Sequence, residues 1–152
     1  QLITQAYQHA NDRLKLSAVF AMGRSLDAER WGSIVLEELA APDPEMRYEA
    51  ARAAGELEYA PAVRKLGELL DDVDEEVQLV TVWSLGQIGG EKARQLLVAV
   101  LESDAEHLHE EAENALAELE FKADNLDFTM FDFEDDDEED EKPKRKRRRD
   151  ED

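Results

Sequence analysis

One segment recurs four times at a spacing of 31 or 32 residues, and this restricts the fold more than any other feature, because self-similarity at such a period marks a stacked array of supersecondary units. The clearest copy runs from 74 to 104, DEEVQLVTVWSLGQIGGEKARQLLVAVLESD. Its first half places Val77, Val80, Thr81, Leu85 and Ile88 at steps of three and four, the apolar stripe of a helix. The stripe stops at Gly89-Gly90, a chain-reversal signal. Ala93, Leu96, Leu97, Val100 and Leu101 then repeat the spacing, so a second helix is predicted. A turn this short joins the two only as an antiparallel hairpin.

The other copies align on a small residue near the end of the first helix: Gly23, Gly55, Gly86 and Ala117, at steps of 32, 31 and 31. Nine residues upstream stand Leu14, Met46, Val77 and Leu108; five upstream stand Ala18, Ala50, Thr81 and Ala112. Downstream, Leu57, Leu66, Leu69 and Leu70 match Ile88, Leu97, Val100 and Leu101. In the first copy Leu26, Val35 and Leu39 match after a one-residue insertion, with Glu38 where a hydrophobe is expected. The pattern predicts an all-α chain, an α-solenoid of helix hairpins over residues 1–123, with units at about 11–43, 44–74, 75–104 and 105–120. Residues 1–10 read as the second helix of an earlier, truncated unit, which suggests a piece of a longer array. Pro44 and Pro61 suit first turns, and Asp71 to Asp74 suit a cap. Trp83, where Phe20 and Arg52 stand in other copies, is expected to fill space between repeats.

These units resemble HEAT repeats, and more narrowly the short bacterial type called phycobilisome-lyase-like, with a pattern near Asp-x-x-Val-Arg-x-x-Ala-x-x-Ala-Leu-Gly. The second unit carries it as Asp43, Met46, Arg47, Ala50, Ala53, Ala54 and Gly55. The third carries it as Asp74, Val77, Leu85 and Gly86, with Gln78 in place of the arginine. The resemblance implies a non-catalytic scaffold for protein–protein interaction, its inner wall made by the second helices. Solvent-facing candidates for contact there are Ser33, Arg64, Lys65, Glu68, Arg94, Gln95 and Glu102. An accessory or chaperone-like, lyase-like subunit of an enzyme is the alternative within the same family.

One HEAT-type family, deoxyhypusine hydroxylase, is an enzyme that holds two irons with His-Glu pairs, and His109-Glu110 invites the comparison. The register argues against it. The pairs would fall just before Ala50 and Ala112, where this chain has Tyr48-Glu49 and Glu110-Glu111. A di-iron centre draws ligands from several helices, and the chain has only His9, His107 and His109. With no Gly-rich phosphate loop, no Ser-His-Asp set and no zinc spacing, neither catalysis nor a cofactor is expected.

Charge narrows the partner. The formal net charge is −21, which favours basic proteins over anionic membranes or nucleic acid. No cysteine, leader-like segment or long apolar run is present, so a cytoplasmic chain is expected. Residues 124–152 are expected to be a disordered tail in three parts. Residues 124–133 set Phe128, Phe131 and Phe133 among aspartates, a composition suited to docking an apolar groove. Residues 134–141 are all carboxylates, and 144–149 are all basic. Such blocks are normally solvated. The basic block supports a third possibility, association with nucleic acid through the tail.

Overall fold

The structure, a computed structural model, describes residues 2–8 and 12–135, with side chains as far as Leu126 apart from those of Ala6 and Gln8. Every regular element among them is helical: α1 (Leu2–Gln8), α2 (Asp12–Arg24), α3 (Ala28–Glu38), α4 (Pro44–Glu56), α5 (Val63–Leu69), α6 (Glu75–Ile88), α7 (Glu91–Glu102) and α8 (His109–Asp135). Single 3-10 turns at Ala60–Ala62 and Glu106–Leu108 lead into α5 and α8. The chain divides into two compact units, Gln1–Glu120 and Phe121–Asp152. None of these helices is long and apolar enough to cross a membrane.

The first unit is an α-solenoid. Helices α2, α4 and α6 lie side by side in one layer, each followed by its hairpin partner α3, α5 or α7 in a second. The repeat stripe is the core: Met22, Val35, Leu66, Val77, Leu85, Leu97, Leu108 and Ala112 are each at most 1% exposed. Aspartates start the helices. Asp43 accepts from the Glu45 N–H, with Pro44 in the first turn, and Asp74 accepts from the N–H groups of Glu76 and Val77 at 2.9 and 3.2 Å. These bonds satisfy donors that a helix start leaves open.

The aligning glycines are where neighbouring first helices come closest. A Cβ at Gly23 would lie 2.9 Å from the Ala53 Cα, one at Gly55 3.0 Å from the Ser84 Cα, and one at Gly86 2.7 Å from the Ala115 Cβ. Backbone thus meets small residue down the array, and only glycine leaves room. Three residues on, each hairpin turns through a positive φ: Leu26 at 58°, Glu58 at 50° and Gly89 at 72°.

A second register binds the turns between units. Arg47 donates through Nε and Nη2 to both oxygens of Asp72 at 2.8 and 3.0 Å, and through Nη1 to the carbonyls of Ala41 and Pro42. At the same position in the next units, Gln78 donates to the Asp72 carbonyl and His109 Nε2 to the Ser103 carbonyl, each six residues back. Burial raises the Asp72 pKa, but the Arg47 hydrogen bonds, the Asp74 N–H and the guanidinium charge together outweigh it and hold the carboxyl below its ordinary value. The hydrogen bonds to Asp72 likewise raise Arg47.

Three expectations need correction. Leu26 does not join the core: it is 72% exposed, because the chain reverses at that residue in a left-handed conformation. Glu38, where the repeat elsewhere has a hydrophobe, is half-buried and accepts a 2.6 Å hydrogen bond from the Tyr7 hydroxyl of α1. Burial, and then that carboxylate, push the Tyr7 pKa up. The last helix does not end near 120. Its backbone continues to Asp135, through all of 124–133, the segment whose composition suits docking, since no glycine or proline interrupts 119–135. The rest of the acidic run and the whole basic block lie outside the described residues, as does His9.

Candidate protein-interaction groove

The seven residues expected to form a contact wall are all exposed, Ser33 on α3, Arg64, Lys65 and Glu68 on α5, and Arg94, Gln95 and Glu102 on α7. They are not drawn into one constellation. Lys65 pairs with Glu68 at 3.8 Å and Gln95 reaches Glu91 at 3.4 Å, ordinary contacts within single helices. Phe128, Phe131 and Phe133 fall on the backbone of α8, and their side chains lie outside the described residues.

The structure places a concave feature on the other layer, between the first helices α4 and α6. It is an open groove of about 520 Å³ with Tyr48, Leu79, Val80 and Trp83 as apolar wall and Arg52, Glu56 and Glu76 as polar lining. A smaller cleft of about 190 Å³ continues it toward the start of α4, sharing Tyr48 and Glu76 and adding Leu16, Pro44, Glu45, Glu49 and Asp74. Large apolar groups are left partly open on this face: Phe20 is 48% and Leu79 38% exposed.

The repeat register explains why these side chains meet. Phe20, Arg52 and Trp83 occupy one position, three residues before the small residue, and so emerge in a row from α2, α4 and α6. The Arg52 guanidinium stacks on the Phe20 ring, 4.5 Å from its centroid, and is held between Glu49 Oε2 at 3.0 Å and Glu56 Oε1. Arg52 Nη2 and Glu56 Oε2 are buried with no hydrogen-bond partner among the described residues. Trp83 lies against Gly55, its Cζ3 2.8 Å from where a Cβ there would be. It fills space between repeats, as expected, and it also walls the groove.

Sequence reasoning missed Tyr48, Glu76 and Leu79. The available signal was the shared register position of Phe20, Arg52 and Trp83, since aromatics and arginine in one column of a repeat must surface side by side. The two histidines singled out near the start of α8 make hydrogen bonds between units. His109 serves as the repeat's turn-binding donor, and His107 Nε2 meets Gln78 Oε1 at 2.7 Å.

Residues 32–117 match the family model for HEAT repeats. Among solved structures the chain is similar to the crystal structure of an engineered protein, with a TM-score of 0.60 and 21% identity, over 78% of this chain and 61% of that one. At that identity the likeness speaks for the fold alone, and the chain spans less than two thirds of its neighbour's length. No curated protein matches. The matched region takes in more than half the chain and runs from the end of one hairpin through the next two, where the seam, turn and donor positions recur; the chain belongs to the HEAT-repeat family.

Proposed function

We propose that the chain is a non-catalytic scaffold that binds another protein, and that it does so through the first-helix groove between α4 and α6. One observation carries this reading: adjoining repeats bring Trp83, Tyr48 and Arg52 together in an open cleft of about 520 Å³. Tryptophan, tyrosine and arginine are the residues most enriched where protein interfaces concentrate their energy. The exposed Leu79 and Phe20 beside them extend the apolar surface. The net charge of −21 supports a basic partner through long-range attraction. The Asp43, Arg47 and Gly55 pattern supports a particular form of the same reading, an accessory subunit of the lyase-like type.

Affinity capture from the native source with three forms of the chain tests the proposal. A partner retained by the wild type and by Arg64→Glu/Arg94→Glu, but lost with Trp83→Ala/Tyr48→Ala, supports the groove. Retention by the groove variant and loss with the second-helix variant would move the interface to the opposite layer. Each variant is first checked for wild-type helicity by circular dichroism.

A further inference from the structure

The groove has a chemistry of its own. Its two clefts follow α4 from Pro44 to Glu56, a helix of 13 residues. At 1.5 Å per residue that is roughly 20 Å, the reach of about six residues of extended chain. Five carboxylates line this length, Glu45, Glu49, Glu56, Asp74 and Glu76, with Arg52 as the one lining cation and Arg24 beside Glu56 at 4.0 Å. Three are already engaged: Glu49 and Glu56 hold Arg52, and Asp74 caps α6. Glu45 and Glu76 are exposed and have no side-chain partner among the described residues, and Glu76 lines both clefts.

The chain also contains an internal example of what such a setting holds. Arg52 lies with its guanidinium on the face of Phe20 and its nitrogens on glutamate oxygens. An aromatic face and a carboxylate satisfy the two demands of a guanidinium, whose plane is weakly hydrated and whose edge carries donors. Trp83 and Tyr48, with Glu76 near them, offer the same pairing to an arginine from outside.

We infer that the groove receives an extended, arginine-bearing segment of the partner protein, with an arginine laid against the Trp83 and Tyr48 wall and paired to Glu76. The inference rests on the scaffold reading and specifies its ligand. Leu79 and Val80 take the apolar residues between the basic ones, and the acidic border excludes acidic segments.

The two tryptophans make the test direct, since Trp31 is only 4% exposed and serves as an internal control for Trp83. The full 15N-labelled chain is titrated with the capped hexapeptide Leu-Arg-Gly-Leu-Arg-Gly and with the same peptide carrying citrulline, which keeps the shape of arginine and loses its charge. The arginine peptide is expected to move the Trp83 indole N–H signal saturably and leave Trp31 in place. Citrulline is expected to weaken binding about tenfold, and Glu76→Gln to weaken the arginine peptide about three- to tenfold with little effect on the citrulline one. Equal, Trp83-dependent binding of both peptides would overturn the basic-segment inference and keep the scaffold reading. A Trp83 signal that moves on concentrating the chain alone would make a second copy the occupant and also overturn it. No response at Trp83 to any peptide, together with retention of the native partner by Trp83→Ala/Tyr48→Ala, would overturn both.

Discussion

Removing Arg47 is the sharpest test of how the units are joined. Arg47→Met deletes two bonds to Asp72 and two to the carbonyls of Ala41 and Pro42. It leaves Asp72, whose side chain is 6% exposed, as a carboxylate without its cation. Breaking one side of a buried ion pair costs about 3–5 kcal/mol, and the partial exposure of Arg47 argues for the lower end, about 3 kcal/mol. For a repeat body of this size that is a fall in Tm of roughly 10 °C. Asp72→Asn keeps an oxygen for the Asp74 N–H and should cost less, about 2 kcal/mol. The double variant Arg47→Met/Asp72→Asn no longer buries an orphaned charge, so its loss should be well short of the sum. Urea melts of all four proteins then give a coupling of about 2 kcal/mol, against 0.2–1 for an exposed pair. Acid adds a second readout. Because the folded pKa of Asp72 lies below its unfolded value near 4, its contribution is fully present above about pH 4 and lost as pH falls through the folded pKa. The stability gap between wild type and Asp72→Asn should therefore hold from pH 7 to about pH 5 and narrow as the pH falls below the unfolded value. A coupling below about 0.5 kcal/mol, or a gap that does not depend on pH, would refute the argument.

Leu66→Ala, Leu85→Ala and Leu97→Ala, each at a fully buried position, should cost about 2–5 kcal/mol in urea melts, and Arg64→Ala under about 0.5 kcal/mol. Gly86→Ala sets a helix-propensity gain of about 1 kcal/mol against overpacking of about 1–3 kcal/mol at Ala115, so a net loss is expected by thermal melting, and a gain would mean that the seam is looser than described. Leu26→Gly should stabilise the chain by about 0.5–1 kcal/mol, since its φ of 58° costs a leucine more than glycine's extra unfolded-state freedom does. Zinc or ferrous ion should leave the Tm unchanged, because His109 is engaged with the Ser103 carbonyl; a rise abolished by His109→Ala would restore the metal reading.

Most of the architecture is legible in the sequence for a local reason. Burial of Val77, Leu85 and Leu97 requires apolar residues at helical steps, and the close approach at Gly23, Gly55 and Gly86 requires glycine, so both leave periodic marks. The groove leaves a weaker one. Tyr48 and Glu76 are 28 positions apart and meet only because successive units stack, and nothing local to either residue says so. Leu26 misleads because a hydrophobe in a turn looks like a hydrophobe in a stripe until the backbone angle is known. Glu38 looks misplaced until Tyr7 reaches it from α1. The length of α8 is hidden because a helix continues through 121–135 without the apolar rhythm that marked its beginning.

The glycine seam has a consequence for how such a surface changes. Gly23, Gly55 and Gly86 bring the first helices close through small-residue contact, and that spacing coexists with different side chains three residues earlier. That column already carries four different letters on one scaffold: Phe20, Arg52, Trp83 and Asn114. One column of the array is grammar and the other vocabulary, so the surface can be re-addressed to a new partner one letter at a time while the sentence that folds stays the same.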